Sequence, residues 1–326
     1  MSKLPLTLAC GPYDRIEALR TRKVLPEGID LTVQVFEDPR TLFDRVMSGE
    51  GFDCAEMSTS EHIANTVLGT SPHVALPVFP SRVFRHGFIV VNKRAGIRTP
   101  KDLAGRRIGV PLHTMTAAVW IRGMLEDDHG VDLSGVTWVQ GAVQRPGSHG
   151  DPNPPPLLKP IKIEINRSQK SLDDLLVEGS IDAILGAVLP PSLGKHPDIV
   201  RLFPDHSAME RDYYRRTGIH PIMHLIVIRK PVFEANPWIA KPLYRAFAAA
   251  KTEAWKALGH TGAPRTMLPW LLDEVASTRD VFQGEPFAYG LEKNRITLET
   301  LVRYLHRHHM IARLPAIEEL FVDVGE

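Results

Sequence analysis

The chain reads as an α/β protein of two lobes, each a mostly parallel sheet flanked by helices. Strand-like and helix-like segments alternate along almost its whole length, which is the pattern of layered parallel sheets. One plan of helix, glycine, aspartate and strand occurs at 41–61 and again at 171–191. With 326 residues, 43% of them hydrophobic and 24% charged, the chain is long enough for two cores.

LTLACG (6–11) forms the expected first strand, and GIDLTVQVFED (28–38), with Ile29, Leu31, Val33 and Val35 alternating, the second. TLFDRVMSGE (41–50) has apolar residues at helical spacing, and FDCAEMS (52–58) follows as a strand. Thr99-Pro100-Lys101-Asp102-Leu103 opens a short helix, RRIGV is a strand, and a longer helix starts near Thr114. SLDDLLVEGSIDAILGAVLPP (171–191) repeats the plan of 41–61. Any two βαβ units share such a plan, so the echo is either generic or the mark of two similar lobes. HPIMHLIVIRK (220–230) is a further buried strand, and the C-terminal third is helical.

These elements place residues 1–93 with 225–326 in a discontinuous first lobe and 94–224 in a second. Two crossovers form a hinge, and a ligand cleft is expected between the lobes. RPGSHGDPNPPPLLKP (145–160) is too rich in proline and glycine for a regular element and reads as a surface loop or lid on lobe two.

Lys+Arg of 39 against Asp+Glu of 38 leaves almost no net charge. Nucleic-acid and membrane-surface binding, which need a basic surplus, are therefore not expected. Cys10 and Cys54 have no metal-ligand spacing and are expected as buried free thiols of a reducing compartment. The opening MSKLPLTLACGPYDR lacks the longer apolar stretch of a signal peptide, and no run is long enough to cross a bilayer. A cytoplasmic location is expected, and a homo-oligomer is compatible with the sequence.

In so neutral a protein, FPSRVFRHGFIVVN (79–92) stands out by setting Arg82, Arg85 and His86 before an apolar run. They are either a solvated rim, structural partners of Asp53 or Glu56, or an anion clamp; guanidinium matches a carboxylate with two parallel hydrogen bonds. In an extended chain Arg82 and His86 would share a face and Arg85 would point opposite. Thr114, Met115 and Thr116 at one helix start, and Ser58, Thr59 and Ser60 at another, offer free backbone N–H groups that serve either as plain caps or as anion sites. Tyr13 and Arg15 follow the first strand at a carboxyl end, where ligands commonly bind. His86, His220 and His224 are candidates for proton transfer or for core packing. Any of them with Glu56 or Asp53 could hold a divalent ion, but no spacing demands one. The cluster His306, Arg307, His308 and His309 reads as a solvated helix face. There is no phosphate-binding loop, dinucleotide fingerprint or HExxH, so no cofactor is expected.

IRTPKDLAGRRIGVP resembles the type II periplasmic-binding-protein fold. YDR (13–15), EGIDL (27–31), EMSTSEH (56–62), FPSRVFRHG (79–87), MTAAVWIRGML (115–125) and HPIMHLIVIRK together resemble the 4,5-dihydroxyphthalate decarboxylase family. The chain departs from that family at Leu112, His113 and His220, which bears on the ring substituents of the substrate. The resemblance implies a cytoplasmic enzyme on the solute-receptor fold, a small anionic aromatic substrate, and His224 and His86 as the preferred histidines. It also implies cofactor-independent decarboxylation of a phthalate-type acid, 4,5-dihydroxyphthalate to protocatechuate and CO2. Such a reaction needs an anion clamp, a proton donor to the ring carbon and a partner for the phenol oxygen. The competing expectation is a non-catalytic receptor for an anionic solute, and behind it an enzyme of the same fold making a pyrimidine or menaquinone precursor.

Overall fold

The computed structural model describes residues 3–325. The first third runs β1 (Leu4–Cys10), α1 (Asp14–Arg20), β2 (Ile29–Val35), α2 (Pro39–Met47), β3 (Cys54–Ser58), α3 (Thr59–Val67) and β4 (His73–Arg82). Next come β5 (Ile89–Asn92), β6 (Arg107–Val110), α4 (Thr116–His129), β7 (Thr137–Gln140) and β8 (Ile163–Ile165). They are followed by α5 (Leu172–Glu178), β9 (Ala183–Leu185), β10 (Ile199–Arg201) and α6 (His206–Thr217). The chain closes with β11 (Ile222–Arg229), α7 (Lys230–Ala235), α8 (Ala240–Leu258), α9 (Leu271–Phe282) and α10 (Arg295–Arg307). Among the described residues no helix is long and apolar enough to cross a membrane.

The strands form two sheets, in the orders β2-β1-β3-β11-β4 and β10-β5-β9-β6-β7-β8. β1 pairs parallel with β2 and β3, while β11 runs antiparallel to both β3 and β4. In the other sheet β6 pairs parallel with β7 and β9, β7 pairs parallel with β8, and β5 runs antiparallel to both β9 and β10. Each sheet is thus mostly parallel with one reversed strand. The echo seen in the sequence is structural: α2–β3 and α5–β9 supply the same place in the two sheets.

The chain divides into two compact units. The first comprises Met1–Arg82, Tyr214–Glu299 and Pro315–Glu326; the second comprises Val83–Tyr213 and Thr300–Leu314. This differs from the sequence-based division at 93 and 225 because the apolar run before residue 93 is β5 of the second sheet, whereas all of β11 belongs to the first. β4 ends at Arg82, opposite Ile222 of β11. Beyond it the chain leaves the extended state, and His86–Phe88 form a 3-10 turn. The alternation that would pair Arg82 with His86 on one strand face therefore does not apply.

Local chemistry fixes several element ends. Pro39 occupies the first turn of α2 while Asp38 accepts from the N–H of Arg40 and Thr41. Ser171 and Asp174 form a capping box on α5, which Gly179 ends in the left-handed region. α4 begins later than expected, with Met115 as the residue before its first turn and no side-chain cap. The 145–160 segment holds no helix or strand, and its end is tied down where Leu158 N–H donates to the His309 carbonyl.

Candidate active site

In the first unit a carboxylate is buried in the middle of the strand β3. Glu56 lies in β3, between β1 and β11, and is fully buried. A charge there is costly unless its oxygens are matched by donors. Oε1 accepts from Tyr13 Oη at 2.6 Å and lies 2.6 Å from His224 Nδ1. Oε2 accepts from the Gly11 N–H at 2.8 Å and faces Cys10 Sγ at 3.4 Å.

The registers explain the convergence. Glu56 faces Ile226 across the β3–β11 pair, and His224 faces Ser58, so Glu56 and His224 are two residues apart on one sheet face. The pairing of β11 with β4 shifts on both sides of His224, an irregularity of the kind that re-aims a side chain. Gly11 is needed for close approach: a Cβ there would stand 2.9 Å from the Tyr13 ring and 3.3 Å from Glu56 Oε2. Phe43 of α2 packs edge-on against the His224 ring at 4.9 Å.

The electrostatics follow from this geometry. Burial pushes the Glu56 carboxyl up, but His224, Tyr13 and the Gly11 N–H outweigh it and hold the group below the usual carboxylate range. An ionised carboxylate only accepts hydrogen bonds, so His224 donates from Nδ1 and its Nε2 is left as the working nitrogen. Burial, followed by the charge of Glu56, raises both the Tyr13 phenol and the Cys10 thiol, keeping both as protonated donors. His224 is 18% exposed while Glu56 is 0% exposed, so the imidazole is the accessible end of a buried chain. The arrangement can orient an imidazole and present its Nε2 for proton transfer.

No family model matches the chain. A 4,5-dihydroxyphthalate decarboxylase from Comamonas testosteroni is 34% identical over 322 residues, 98% of this chain and 97% of that protein. A protein of the same name from Pseudomonas putida is 37% identical over 216 residues, 66% of this chain and 83% of its own length. The chain belongs to the 4,5-dihydroxyphthalate decarboxylase family. It is therefore a carboxy-lyase.

Among solved structures, the periplasmic aliphatic sulphonate binding protein SsuA from Escherichia coli is similar with a TM-score of 0.53 and 11% identity, over 98% of each chain. The desulfurization enzyme DSZB is similar with a TM-score of 0.50 and 15% identity, over 98% of this chain and 96% of its own. These likenesses establish the periplasmic-binding-protein-like fold expected from the sequence.

The remaining sequence candidates divide between the units. In the first unit, Ser58 and Ser60 lie with their hydroxyls 3.3 Å apart at the start of α3, with Thr59 buried between them. Arg15 stacks over Tyr13 and Phe287 at 4.2 and 4.5 Å and donates to the Pro80 carbonyl. Arg82 is buried and donates to the carbonyls of His220 and Ala288 at 3.0 and 2.7 Å and to the side chain of Asn294. Burial lowers its pKa to about 9, leaving it charged. Neither a solvated rim nor a pair with Asp53 or Glu56 describes it: Asp53 pairs with Arg229, and Glu56 with His224.

His220 precedes β11 rather than sharing it with His224, and its Nδ1 is 2.9 Å from the Pro286 carbonyl. Burial and then Arg82 push its pKa down to about 3, so it stays neutral among Phe282 and Phe287. In the second unit, Arg85 packs over Phe88 at 4.5 Å. His86 lies 3.8 Å from Glu210 and edge-on to Tyr213. Thr114 and Thr116 are buried, and Met115 is half-buried, at the start of α4. His308 corrects the expectation of a solvated 306–309 face: it is buried, with Nε2 2.9 Å from Glu126. Among the described residues no three His, Cys, Asp or Glu side chains gather to hold a metal ion. Glu56 entered the sequence reading only as an ion-pair or metal partner. A glutamate inside the apolar run FDCAEMS was the available signal, since a lone charge in a buried strand is rare.

Proposed function

We propose that the chain decarboxylates 4,5-dihydroxyphthalate to 3,4-dihydroxybenzoate and carbon dioxide, with His224 as the proton donor. The observation that carries this reading is the bond from His224 Nδ1 to the fully buried, ionised Glu56. The hydroxyl para to the departing carboxylate pushes electron density onto the carbon that bears it. That carbon takes the proton from His224 Nε2. The carbon–carboxylate bond then breaks, its electron pair restores the aromatic ring, and carbon dioxide leaves. One proton enters and one carbon dioxide departs, so the imidazole is recharged from solvent. Glu56 stabilises the imidazolium before transfer, and Tyr13 and Gly11 hold Glu56 in place.

For the substrate anion we propose the helix start Ser58–Thr59–Ser60, whose Ser58 faces His224 across the β3–β11 pair in the same unit, because a helix start has backbone N–H groups without intrahelical acceptors. The half-buried Arg15 is a further contact, its guanidinium stacked on the tyrosine that holds Glu56. Arg82 is proposed to support the first unit by bracing the segment before β11 and the Ala288–Asn294 turn. Arg85, His86, Thr114, Met115 and Thr116 are further proposed contacts for an anion.

The test is incubation of purified protein with 4,5-dihydroxyphthalate, following carbon dioxide and the monocarboxylate. Turnover by the native chain, with substrate still bound but not converted by His224→Ala, supports the assignment. Binding without turnover by the native chain would move it to the solute-receptor class.

A further inference from the structure

The second unit contains a cavity of about 420 Å³, within the roughly 300–1,000 Å³ range of small-molecule sites. It lies at the amino ends of two parallel strands, because Val131–Ser134 lead into β7 and Lys159–Lys162 lead into β8. Parallel sheets usually bind ligands at the opposite, carboxyl ends, and no residue of the proposed decarboxylation lines it.

Arg122 of α4 lines this cavity and is 2% exposed. Its Nη1 donates to the His113 carbonyl at 2.8 Å, while Nε and Nη2 meet no hydrogen-bond acceptor among the described residues. Glu126, one turn along α4, does not fill the gap. Its Oε2 faces His308 Nε2 at 2.9 Å and Arg307 Nη1 at 3.4 Å. Burial lowers the Arg122 pKa to about 9, against the pull of Glu126, so the group remains charged at neutral pH. A buried guanidinium with three of its five N–H donors unmatched is a costly arrangement. Nε–H and Nη2–H form the parallel pair that a carboxylate accepts from the side. The rest of the lining suits an organic anion: Leu133, Trp138 and Ile161 give an apolar wall, and Lys159 and Lys162 are exposed cations at the mouth.

We propose that this cavity binds a small aromatic carboxylate, its carboxylate paired with Arg122 and its ring against Trp138 and Leu133. Nε and Nη2 are closed to water in this structure, so the pairing requires side chains of the lining to shift.

The test is calorimetric titration of benzoate into the full chain and three variants. Arg15→Ala, which removes a proposed substrate contact of the decarboxylation site, is expected to bind benzoate as the native chain does, which separates this site from that one. Arg122→Met is expected to lose at least about tenfold in affinity, as truncation of a buried charge partner does, while its turnover of 4,5-dihydroxyphthalate stays unchanged. The double variant Lys159→Ala with Lys162→Ala, altered only at exposed positions, is expected to lose about two- to fivefold. That variant decides the matter if Arg122→Met does not fold. Unchanged benzoate affinity in whichever of these two variants decides, or loss of binding in Arg15→Ala, overturns the proposal.

Discussion

In each unit a central strand, β1 or β6, is flanked by parallel neighbours, and one antiparallel strand separates the third position from the edge. The registers align the units residue by residue: Leu8 faces Cys54 as Ile108 faces Ala183. Two positions further on, β3 carries Glu56 and β9 carries Leu185. Each faces an isoleucine of the reversed strand, Ile226 or Ile89. The plan is satisfied by a leucine, so the sheet itself does not require a charge at this place. In the first unit the same position holds a carboxylate surrounded by four donors and joined to an accessible histidine. The difference singles out Glu56, with His224 beside it, at a place where the second unit has a leucine.

The largest effect should come from the end of this chain that reaches the surface. His224→Ala is expected to lower kcat by about 10²–10⁴-fold, the usual worth of a positioned acid, with little change in substrate affinity. Single-turnover kinetics alongside equilibrium binding would show this split.

Replacing Glu56 by the residue that the second unit uses sharpens the comparison further. Glu56→Leu removes the acceptor from His224, Tyr13 and Gly11 together, and is expected to abolish turnover and destabilise the first unit by about 1–3 kcal/mol. Glu56→Gln keeps the shape and loses the charge, so kcat should fall by about 10²-fold with smaller loss of stability. If Glu56→Leu kept native turnover, the two sheets would be equivalent after all.

Arg82→Ala tests whether the first unit's buried arginine is structural. It leaves the His220 carbonyl without its arginine donor and the Ala288 carbonyl with Asn294 alone, and urea unfolding should show a loss of about 1–3 kcal/mol. Substrate affinity in the folded fraction should change less than stability does.

The smallest effect is a pH dependence. The Glu56 carboxyl is held below its ordinary value, near 4.3 in an unfolded chain by rough reference. The folded chain therefore binds fewer protons at this site. Its stabilisation is fully present above that reference value and is lost as pH falls through the lower folded value. Thermal melts of the native chain and of Glu56→Gln should converge only below about pH 4; a constant gap down to that range would show that the charge adds no stability.

Much of this architecture was legible in the sequence because period and punctuation are local. Alternation in β2, the helical spacing of α2 and the strand–turn–helix of 97–125 were each readable within a short window. The division between the units was misplaced because an apolar strand such as Ile89–Asn92 reads the same in either sheet. The partner that decides, β9, is about ninety residues away in sequence. Tyr13 and His224 were named, but Glu56 joins them only through pairings across 43 and 168 residues. The arginines before β5 announced an anion site by charge alone, yet burial turned Arg82 toward internal carbonyls. His308 was concealed similarly: His306 and Arg307 before it are exposed, and its partner Glu126 lies 182 residues away.

The central claim is that an imidazole held by a buried carboxylate gives this fold its chemistry. The most direct measurement is carbon dioxide release from 4,5-dihydroxyphthalate by the native chain and by His224→Ala, at equal concentrations of folded protein. The account predicts steady release by the first and release near the uncatalysed background by the second. Native-like release by His224→Ala would contradict it.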